Sequence, residues 1–335
     1  MKISVAVATF NGAPFLEDQL GSLARQTLKP AELVICDDGS TDGTAAIVER
    51  LAAGAPFPVL LHANTERLGF ADAFLRAASL CSGDAIAFCD QDDVWLELKL
   101  ERCAAALAKP DVGLVVHTSR VVDENLRPTG RSYPNVRRDR VEPPLAGDPW
   151  LAVRGMSMVF ASRVLRAVDP ALRPRSHYRD AAMHHDEWIY VLARAFTSVA
   201  YVADPLALYR QHSANVTGAD RGARQRLDDV VDTGWAYYGR RREQALELAS
   251  LFERTATAGG EFSARAAEAA RWYRDQATRL ERRLVVYEPQ AAASRRIKRI
   301  VRLAASGGYG PRRHGGFGAR GFVRDALMVA LRRSG

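Results

Sequence analysis

Hydrophobic residues in the first part of the chain come in short runs without polar alternation. The runs lie at residues 3–8, 32–36, 59–62 and 85–89. Strands with this pattern are buried on both faces, as in a parallel sheet that helices cover on each side. Between the runs, apolar positions recur every three or four residues, which indicates helices. We therefore predict an α/β fold, with a mostly parallel sheet and flanking helices.

The pattern changes in the second part of the chain. Residues 125–148 are rich in proline, arginine and glycine, which is typical of a long surface loop. A helical period with frequent Ala, Arg, Glu and Leu extends from about residue 223 to residue 288, and residues 319–333 predict a basic amphipathic helix. The expected parts are two halves of one α/β domain at 1–117 and 118–220, a C-terminal helical extension at 221–290, and a basic tail at 291–335.

Four further elements are assigned from local sequence patterns. Residues 95–107 predict a helix, and residues 199–202 and 206–210 predict two separate strands. A further apolar helix is predicted to begin at His184. The helix at 95–107 belongs to the first half of the α/β domain, and the other segments belong to the second half.

One stretch of the helical extension has the spacing of a coiled-coil seam. Tyr273, Ala277, Leu280, Leu284 and Tyr287 follow one another at alternating steps of four and three residues. Two interpretations stay open. Either this helix packs on its own domain, or the seam joins two chains in a homodimer.

Positive charge is concentrated at the C-terminal end. The chain carries a net charge of +8, whereas residues 294–335 hold eleven Lys or Arg and one acid, Asp325, and so carry +10 by themselves. The rest of the chain is therefore close to neutral. Such a tail favours an anionic partner, and we expect an anionic membrane surface, not a nucleic acid. No apolar run reaches the ~18 residues that a membrane span requires.

Cysteine usage and the N-terminus bear on the compartment. None of the four cysteines forms a C-x-x-C pair, and Cys36 and Cys89 fall within predicted buried strands, which favours reduced thiols. The apolar N-terminus runs into Thr9 without a small-residue cleavage site, so we interpret it as a first strand and not as a signal peptide. The expected location is the cytoplasm, peripheral to the inner face of the plasma membrane.

Three acids follow the fourth apolar run directly. Asp90, Asp92 and Asp93 lie within four residues of one another, and carboxylates this close repel unless a cation or hydrogen-bond donors hold them. The carboxyl ends of parallel strands are where ligands bind, and oxygen ligands suit Mg²⁺ or Mn²⁺. The alternative is a solvated acidic turn that caps the next helix.

The first two predicted strands also end in polar residues. These endings are residues 9–12 and residues 37–43, and they belong to the same sheet edge as the three acids. A nucleotide is the usual occupant of such an edge. No G-x-G-x-x-G follows the first strand, which disfavours a dinucleotide, and no G-x-x-x-x-G-K-[ST] is present, which excludes a P-loop.

Taken together, these strand ends and three later blocks resemble the family 2 glycosyltransferases with the GT-A fold. The blocks are Thr9-Phe10-Asn11-Gly12, Asp37-Asp38-Gly39-Ser40-Thr41-Asp42, Asp90-Gln91-Asp92-Asp93-Val94-Trp95, Gly155-Met156-Ser157-Met158, His185-Asp186-Glu187-Trp188, and Tyr209-Arg210-Gln211-His212 with the residues up to Gly218. The last block is similar to the bacterial rhamnosyltransferase-like branch. The resemblance covers residues 1 to about 220.

The resemblance implies a divalent metal, Mn²⁺ or Mg²⁺, at the acids. By the family's D-x-D pattern, Asp92 is the direct metal ligand and Asp90 a ribose or outer contact. Asp93 is interpreted as a helix cap, with a third ligand as the alternative. His212 is expected to complete the metal shell, against the alternative of an ordinary surface or core histidine.

The resemblance also implies a set of nucleotide contacts. Asp38 is expected to accept a hydrogen bond from the ring N–H of uracil or thymine, with Asp37 as the alternative. Phe10 is a candidate for stacking on the base, and Arg210 for pairing with the diphosphate, with a structural salt bridge as its alternative. The full expected set is Thr9, Phe10, Asn11, Asp38, Asn64, Gly69, Asp90 and Arg210.

The acceptor hydroxyl must lose a proton as it attacks, and a carboxylate is suited to take it. Asp186 is the predicted base, with Glu187 as the alternative. This chain has His185 before Asp186, where the family commonly has Glu. The Q-x-x-R-W signature of processive enzymes is absent from residues 186–240, which favours the addition of a single sugar.

These features predict a metal-dependent, inverting, non-processive glycosyltransferase. The expected donor is a dTDP- or UDP-sugar, with dTDP-rhamnose favoured, and the expected acceptor is a lipid-linked surface glycan. One alternative is a nucleotidyltransferase, although residues 11–14 lack the cation that attack on phosphate requires. Another is a non-catalytic scaffold that binds glycolipid or nucleic acid through its tail.

Overall fold

In the computed structural model, the described part of the chain contains one sheet of ten strands. The strands are β1 (Ile3–Thr9), β2 (Glu32–Asp37), β3 (Val59–Ala63), β4 (Ala85–Asp90), β5 (Val94–Trp95), β6 (Val112–Val122), β7 (Pro128–Ser132), β8 (Arg140–Glu142), β9 (Met158–Ala161) and β10 (Ser198–Arg210). The structure describes residues 1–151, 153–213, 215, 223–288, 290–311 and 316–331.

Helices alternate with the first strands and make up most of the C-terminal part. They are α1 (Ala13–Ala24), α2 (Thr44–Ala52), α3 (Phe70–Leu80), α4 (Lys99–Leu107), α5 (Ser162–Arg166), α6 (His185–Phe196), α7 (Ala223–Ala258), α8 (Ser263–Tyr287), α9 (Ala293–Ala305) and α10 (Gly318–Leu331). None of them combines the length and the apolar character of a membrane span.

The chain separates into two compact units. The sheet unit comprises residues 1–144, 152–171 and 184–219, and the helical unit comprises residues 145–151, 172–183 and 220–335. The predicted division into four parts is not decided by this separation and stays a prediction.

The sheet is mostly parallel in its first half. The strand order is β3-β2-β1-β4-β9-β6-β10-β5, and β1 to β4 run parallel to their neighbours within that group. β9 is antiparallel to both β4 and β6, whereas β6 and β10 are parallel. β1 is buried along its whole length, and β2 and β4 at all but one end position. These strands correspond to the apolar runs without alternation, so the predicted α/β class is confirmed.

Four local predictions differ from the structure. The stretch 125–148, expected to be a loop, contains β7 and β8. The helix expected from residue 95 begins at Lys99, because Val94 and Trp95 pair with β10 as β5. The two strands expected at 199–202 and 206–210 form the single strand β10. The basic tail contains a second helix, α9, which was not predicted.

The helical unit has its own core, built on α8. Tyr273, Ala277, Leu280, Leu284 and Tyr287 are all buried within the chain, and α7 and α8 are packed along each other. The coiled-coil-like seam therefore packs within its own unit, which is the first of the two interpretations given for it.

The basic tail is part of the same core. Asp325 of α10 is fully buried and pairs with the buried guanidinium of Arg283 at 2.7 Å. The hydroxyls of Tyr287 and Tyr309 also donate to Asp325, at 2.6 and 2.7 Å. A buried ion pair is tolerated when its remaining polar atoms are satisfied in this way. α10 is consequently held to α8 by specific contacts.

Candidate active site

The parallel strands bring three polar strand ends to one edge of the sheet. Thr9 lies opposite Asp37 in the pairing of β1 with β2, and Ala8 lies opposite Asp90 in the pairing of β1 with β4. The Thr9 hydroxyl donates to Asp37 Oδ1 at 2.7 Å. This edge is the one at which the sequence predicted a nucleotide site.

The two acids at the end of β2 have different partners. Asp37 accepts from Thr9 and from both the N–H and the hydroxyl of Ser40, so it stabilises the turn. Asp38 accepts from the side-chain amide of Asn64 and from the N–H groups of Leu68 and Gly69, at 2.7 to 2.9 Å. Four lone-pair positions are available on a carboxylate, so Asp38 retains one for a ligand.

The loop that follows β3 is organised by Asp38. Burial raises the pKa of this carboxyl, but the three hydrogen bonds and the charge of Arg67 outweigh burial and hold it below its usual range. Asp38 is therefore an anion at neutral pH. Asn64 Oδ1 is buried and has no hydrogen-bond partner among the described residues, so it is open to a donor from a ligand.

The segment that follows β1 is attached to both neighbouring loops. The Phe10 N–H donates to Gln91 Oε1 at 3.0 Å, and Gln91 Nε2 donates back to the Phe10 carbonyl at 3.2 Å. The Asn11 N–H donates to the Ser40 hydroxyl at 2.9 Å. The Arg67 guanidinium lies 3.8 Å from the centre of the Phe10 ring. These contacts bring Phe10 and Arg67 together, beside the loop that holds Asn64.

The three acids at the end of β4 and directly after it form a cluster that has the chemistry of a cation site. Asp90, Asp92 and Asp93 each have a carboxylate oxygen within 4.8 Å of the other two. Burial and then repulsion from Asp92 and Asp186 raise the pKa of Asp90 to about 7. Burial, followed by repulsion from Asp92 and Asp90, raises the pKa of Asp93 as well. A divalent cation would relieve this repulsion, so the residues present fit a metal.

Only one of the two carboxylate oxygens of Asp93 has a hydrogen-bond partner among the described residues. Its Oδ1 accepts the backbone N–H of Arg210 at 3.0 Å, while its buried Oδ2 has no hydrogen-bond partner among the described residues. The side chain thus links the β4 end to the end of β10. It is not engaged as a helix cap, since α4 begins at Lys99 and shows no side-chain cap.

Asp92 and His212 lie in contact, although 120 residues separate them in the chain. His212 Nε2 is 2.9 Å from Asp92 Oδ2, and the imidazole stacks on Phe15 with ring centres 4.3 Å apart. Asn215 Nδ2 also donates to Asp92 Oδ2, at 3.2 Å. The two predicted metal ligands are therefore brought together. Asn215 was not singled out in the sequence, although it lies in the block that begins at Tyr209.

Arg210 is held by protein groups. Its Nη2 donates to Asp18 at 2.8 Å and its Nη1 to the carbonyl of Glu124 at 3.3 Å. The side chain is buried, and its Nε has no hydrogen-bond partner among the described residues. The structural salt bridge that was the alternative for Arg210 is present, and contact with a diphosphate stays a prediction.

Asp186 lies in the first turn of α6. Its carboxylate is close enough to Asp90 to contribute to the raised pKa of that residue, and its Oδ1 accepts the N–H of Glu187 at 2.8 Å. The N-terminus of a helix stabilises a negative charge at such a position. The predicted base is thus beside the predicted metal cluster.

His185, which departs from the family pattern, is a core residue. Its ring stacks on Phe74 with centres 4.2 Å apart and meets the edge of Phe88 at 4.7 Å. Gly155 provides the space on the other side, since a Cβ there would lie 2.7 Å from His185 Nε2. The Gly155-Met156-Ser157 turn and the start of α6 therefore fix each other.

A buried lysine that sequence reasoning missed supports the same turn. Lys99 Nζ donates to the Met156 carbonyl at 2.7 Å and lies 3.4 Å from the centre of the Trp95 ring. Burial lowers its pKa to about 8. In the sequence, the only indication of its burial is that a lysine stands where the helical period requires an apolar residue.

Comparisons with known proteins indicate the family of this chain. Residues 4–165 match the family model described as glycosyl transferase family 2. An uncharacterized glycosyltransferase of Nostoc sp. is 30% identical over 221 residues, which cover 64% of this chain and 66% of that protein. The dTDP-rhamnosyl transferase RfbG of Shigella flexneri is 25% identical over 224 residues, covering 64% of this chain and 74% of that protein.

A solved structure supports the fold. The S. aureus TarS fragment 1–349, in complex with UDP-GlcNAc, superposes with a TM-score of 0.56 at 16% identity, covering 99% of this chain and 92% of that chain. At this identity the likeness concerns the fold alone, and it confirms the predicted GT-A architecture with a C-terminal helical region. The chain spans less than two thirds of the length of several curated relatives that it matches.

Proposed function

We propose that this chain, whose residues 4–165 belong to glycosyl transferase family 2, transfers one sugar from a nucleoside diphosphate donor to a hydroxyl group of a glycan. The observation that carries the proposal is the meeting of three parts at one sheet edge. These are the Asp38 loop, the acid cluster with the Asp92–His212 contact, and Asp186 beside Asp90.

The reaction breaks the bond between the anomeric carbon and the diphosphate, through a transition state with oxocarbenium character. Negative charge then grows on the leaving diphosphate. Asp92 and His212 would hold a Mn²⁺ or Mg²⁺ ion, with Asp90 and Asp93 beside them, and a bound ion supplies charge neutralisation for that leaving group.

Asp186 acts as the base in this scheme. It takes the proton of the acceptor hydroxyl as the oxygen forms its bond to the anomeric carbon, and the diphosphate leaves from the opposite face. A single displacement of this kind inverts the anomeric centre. Glu187 is the alternative base on the same turn of α6.

The donor is proposed to be a dTDP- or UDP-sugar. Asp38 would use its remaining acceptor position for the ring N–H of thymine or uracil, and Phe10 with Arg67 would contact the base or ribose. Rhamnose is the favoured sugar, supported by the similarity to RfbG, whose name states a dTDP-rhamnosyl transferase. The proposed acceptor is a lipid-linked surface glycan.

Membrane association is proposed for the exposed face of α9. Ile297 and Val301 are one helical turn apart and are 41% and 60% exposed. Lys298 and Arg302 lie beside them on the same exposed side. An apolar ridge flanked by cations is the pattern of a helix that lies on an anionic membrane. The proposed location is the cytoplasm, at the inner face of the plasma membrane.

The test measures products from a dTDP- or UDP-sugar with Mn²⁺ or Mg²⁺. Wild type should release the nucleoside diphosphate, and Asp92→Asn and Asp186→Asn should each lower kcat at least about a hundredfold. Asp84→Asn is the matched control, because Asp84 directly precedes the opposite end of β4 and its carboxylate accepts only the Lys2 N–H among the contacts described. Equal rates in all four proteins would exclude the assigned roles. Formation of a nucleoside triphosphate and a sugar 1-phosphate when pyrophosphate is added would instead indicate a nucleotidyltransferase.

A further inference from the structure

A second candidate site lies wholly within the helical unit. It is a cavity of about 170 Å³ whose walls include Trp150, Tyr237, Arg241, Arg283 and Arg324. Pockets for ligands of drug size have volumes of ~300–1,000 Å³. The cavity therefore suits a small chemical group and is too small for a complete nucleotide sugar.

The three arginines of this cavity are not equivalent. Arg283 is neutralised by Asp325 and forms a fixed wall. The Arg241 guanidinium lies over the rings of Tyr237 and Trp150, at 4.3 and 5.0 Å from their centres. Its Nε is buried and has no hydrogen-bond partner among the described residues. A guanidinium positioned by aromatic rings, with an open N–H, is prepared to bind an oxyanion.

Arg324 provides a second guanidinium. It lies in the wall of the cavity, half-buried on α10, and its charge reaches Tyr237 together with that of Arg241. One acid, Asp148, also faces the cavity, but its Oδ1 already accepts the Trp150 N–H at 3.0 Å. The cavity and its surroundings hold three arginines and two acids, Asp148 and Asp325. The net charge there is therefore positive, which favours binding of an anion.

We infer that this cavity binds a phosphate group, with Arg241 and Arg324 as the hydrogen-bond donors. The paired forks match the several oxygens of a phosphate, which a single carboxylate does not offer. The same group is present in free phosphate and in the headgroup of an anionic lipid. The inference does not depend on the proposed transferase activity, because every lining residue belongs to the helical unit.

Calorimetric titration of the full chain with inorganic phosphate tests this site. EDTA is included so that phosphate cannot bind through a metal at the acid cluster. Arg241→Gln/Arg324→Gln should weaken binding about a hundredfold, and Arg324→Gln alone about tenfold. Arg282→Gln/Arg320→Gln removes the same charge from two exposed positions outside the cavity and should bind phosphate like wild type.

The single variant Arg324→Gln distinguishes lost binding from lost folding, because it leaves the stacked Arg241 in place. Unchanged affinity in Arg324→Gln and in the double variant, or no binding to wild type, would overturn the inference. Phosphatidylcholine vesicles that contain phosphatidate distinguish the source. If free phosphate displaces wild type from these vesicles but does not displace Arg324→Gln, the cavity binds a lipid headgroup. If free phosphate does not displace wild type from the vesicles, the cavity binds the soluble ion.

Discussion

Asp38 fixes the conformation of the loop after β3 with its two carboxylate oxygens. It accepts from Asn64 and from the N–H groups of Leu68 and Gly69. Because those donors lie at least 26 residues away in the sequence, the charge of Asp38 was predictable, whereas its partners were not. The carboxylate has a structural role and can have a binding role at the same time.

Asp38→Asn should therefore weaken nucleotide binding and lower stability together. The amide presents an NH₂ group to donors that need an acceptor, and a buried donor left unpaired costs ~1–3 kcal/mol. We expect a dissociation constant for UDP or dTDP raised at least about tenfold. Asn64→Ala, which removes one of the three donors and leaves the carboxylate, is the comparison. Nucleotide affinity and unfolding free energy in Asp38→Asn equal to wild type would contradict this role.

At the same scale, resemblance and geometry contributed differently to the site. The Asp92–His212 pair followed from the family pattern alone, since spacing cannot join residues 120 positions apart, and the structure places them in contact. For Arg210 the pattern indicated a phosphate contact, and the structure adds an ion pair with Asp18 of α1. Long-range pairs of this kind depend on how elements pack, which local sequence does not encode.

At the scale of elements, buried strands were predictable and interrupted ones were not. The runs that became β1, β2 and β4 are apolar on both faces and are buried almost throughout. The run that became β3 has the same pattern, but β3 lies at the edge of the sheet and is only partly buried. Two separate strands were expected at 199–202 and 206–210, but β10 continues through Asp204-Pro205 with register shifts around Pro205. Proline lacks the N–H for a ladder bond, and a bulge accommodates it. β7 and β8 lie in a polar stretch without strand periodicity.

The junction of the Gly155 turn with α6 gives a prediction about an element. Gly155→Ala places a Cβ about 2.7 Å from His185 Nε2, so His185 and the start of α6 must move. Asp186 is the next residue, and kcat should fall at least about tenfold, with a loss of ~1–3 kcal/mol in stability from overpacking. Gly54→Ala is the control, since no atom lies within 4 Å of its added Cβ. A Gly155→Ala enzyme with wild-type kcat would show that this contact does not position Asp186.

At the scale of the whole molecule, each unit contains a buried histidine that resists protonation. Burial lowers the pKa of His117 in the sheet unit and of His177 in the helical unit to about 3 in each case. The unfolded chain takes up these protons as the pH falls through ~6.5, while the folded chain does so only near 3. Their contribution to stability is therefore complete above pH ~6.5 and is lost progressively below it.

His177→Gln isolates the contribution of one histidine to the pH dependence of stability. In wild type the raised pKa values of Asp90 and Asp93 have the opposite effect on that pH dependence. Relative to wild type, the variant should lose less stability on acidification, by ~1.4 kcal/mol per pH unit between about pH 6 and 4. Urea unfolding, followed by a probe in the helical unit at several pH values, measures the difference. His62→Gln, at a half-buried position on β3, is the matched control. Parallel stability curves for His177→Gln and wild type would contradict the burial argument.

The basic tail cannot be tested by deletion, because it belongs to the helical core. Removing it would take away Asp325, the partner of the buried Arg283, together with Ile300, Leu303 and Met328. An uncompensated buried charge is strongly destabilising. Sequence composition identified the charge of the tail but not this anchoring, which depends on contacts over about 40 residues. Only surface substitutions can separate membrane binding from folding.

Substitutions on the exposed face of α9 provide that separation. Lys298→Gln/Arg302→Gln should weaken partitioning onto vesicles with anionic lipid by about 2 kcal/mol, since each well-placed cation contributes ~1 kcal/mol. Arg271→Gln/Arg282→Gln makes the same change in charge at exposed positions of α8 and should have a smaller effect.

Ile297→Ser/Val301→Ser should weaken binding to anionic vesicles at high salt as well, because burial of apolar surface is not screened by ions. Co-sedimentation at low and high salt measures both contributions, and wild-type partitioning in the two α9 variants would place any membrane contact elsewhere on the chain.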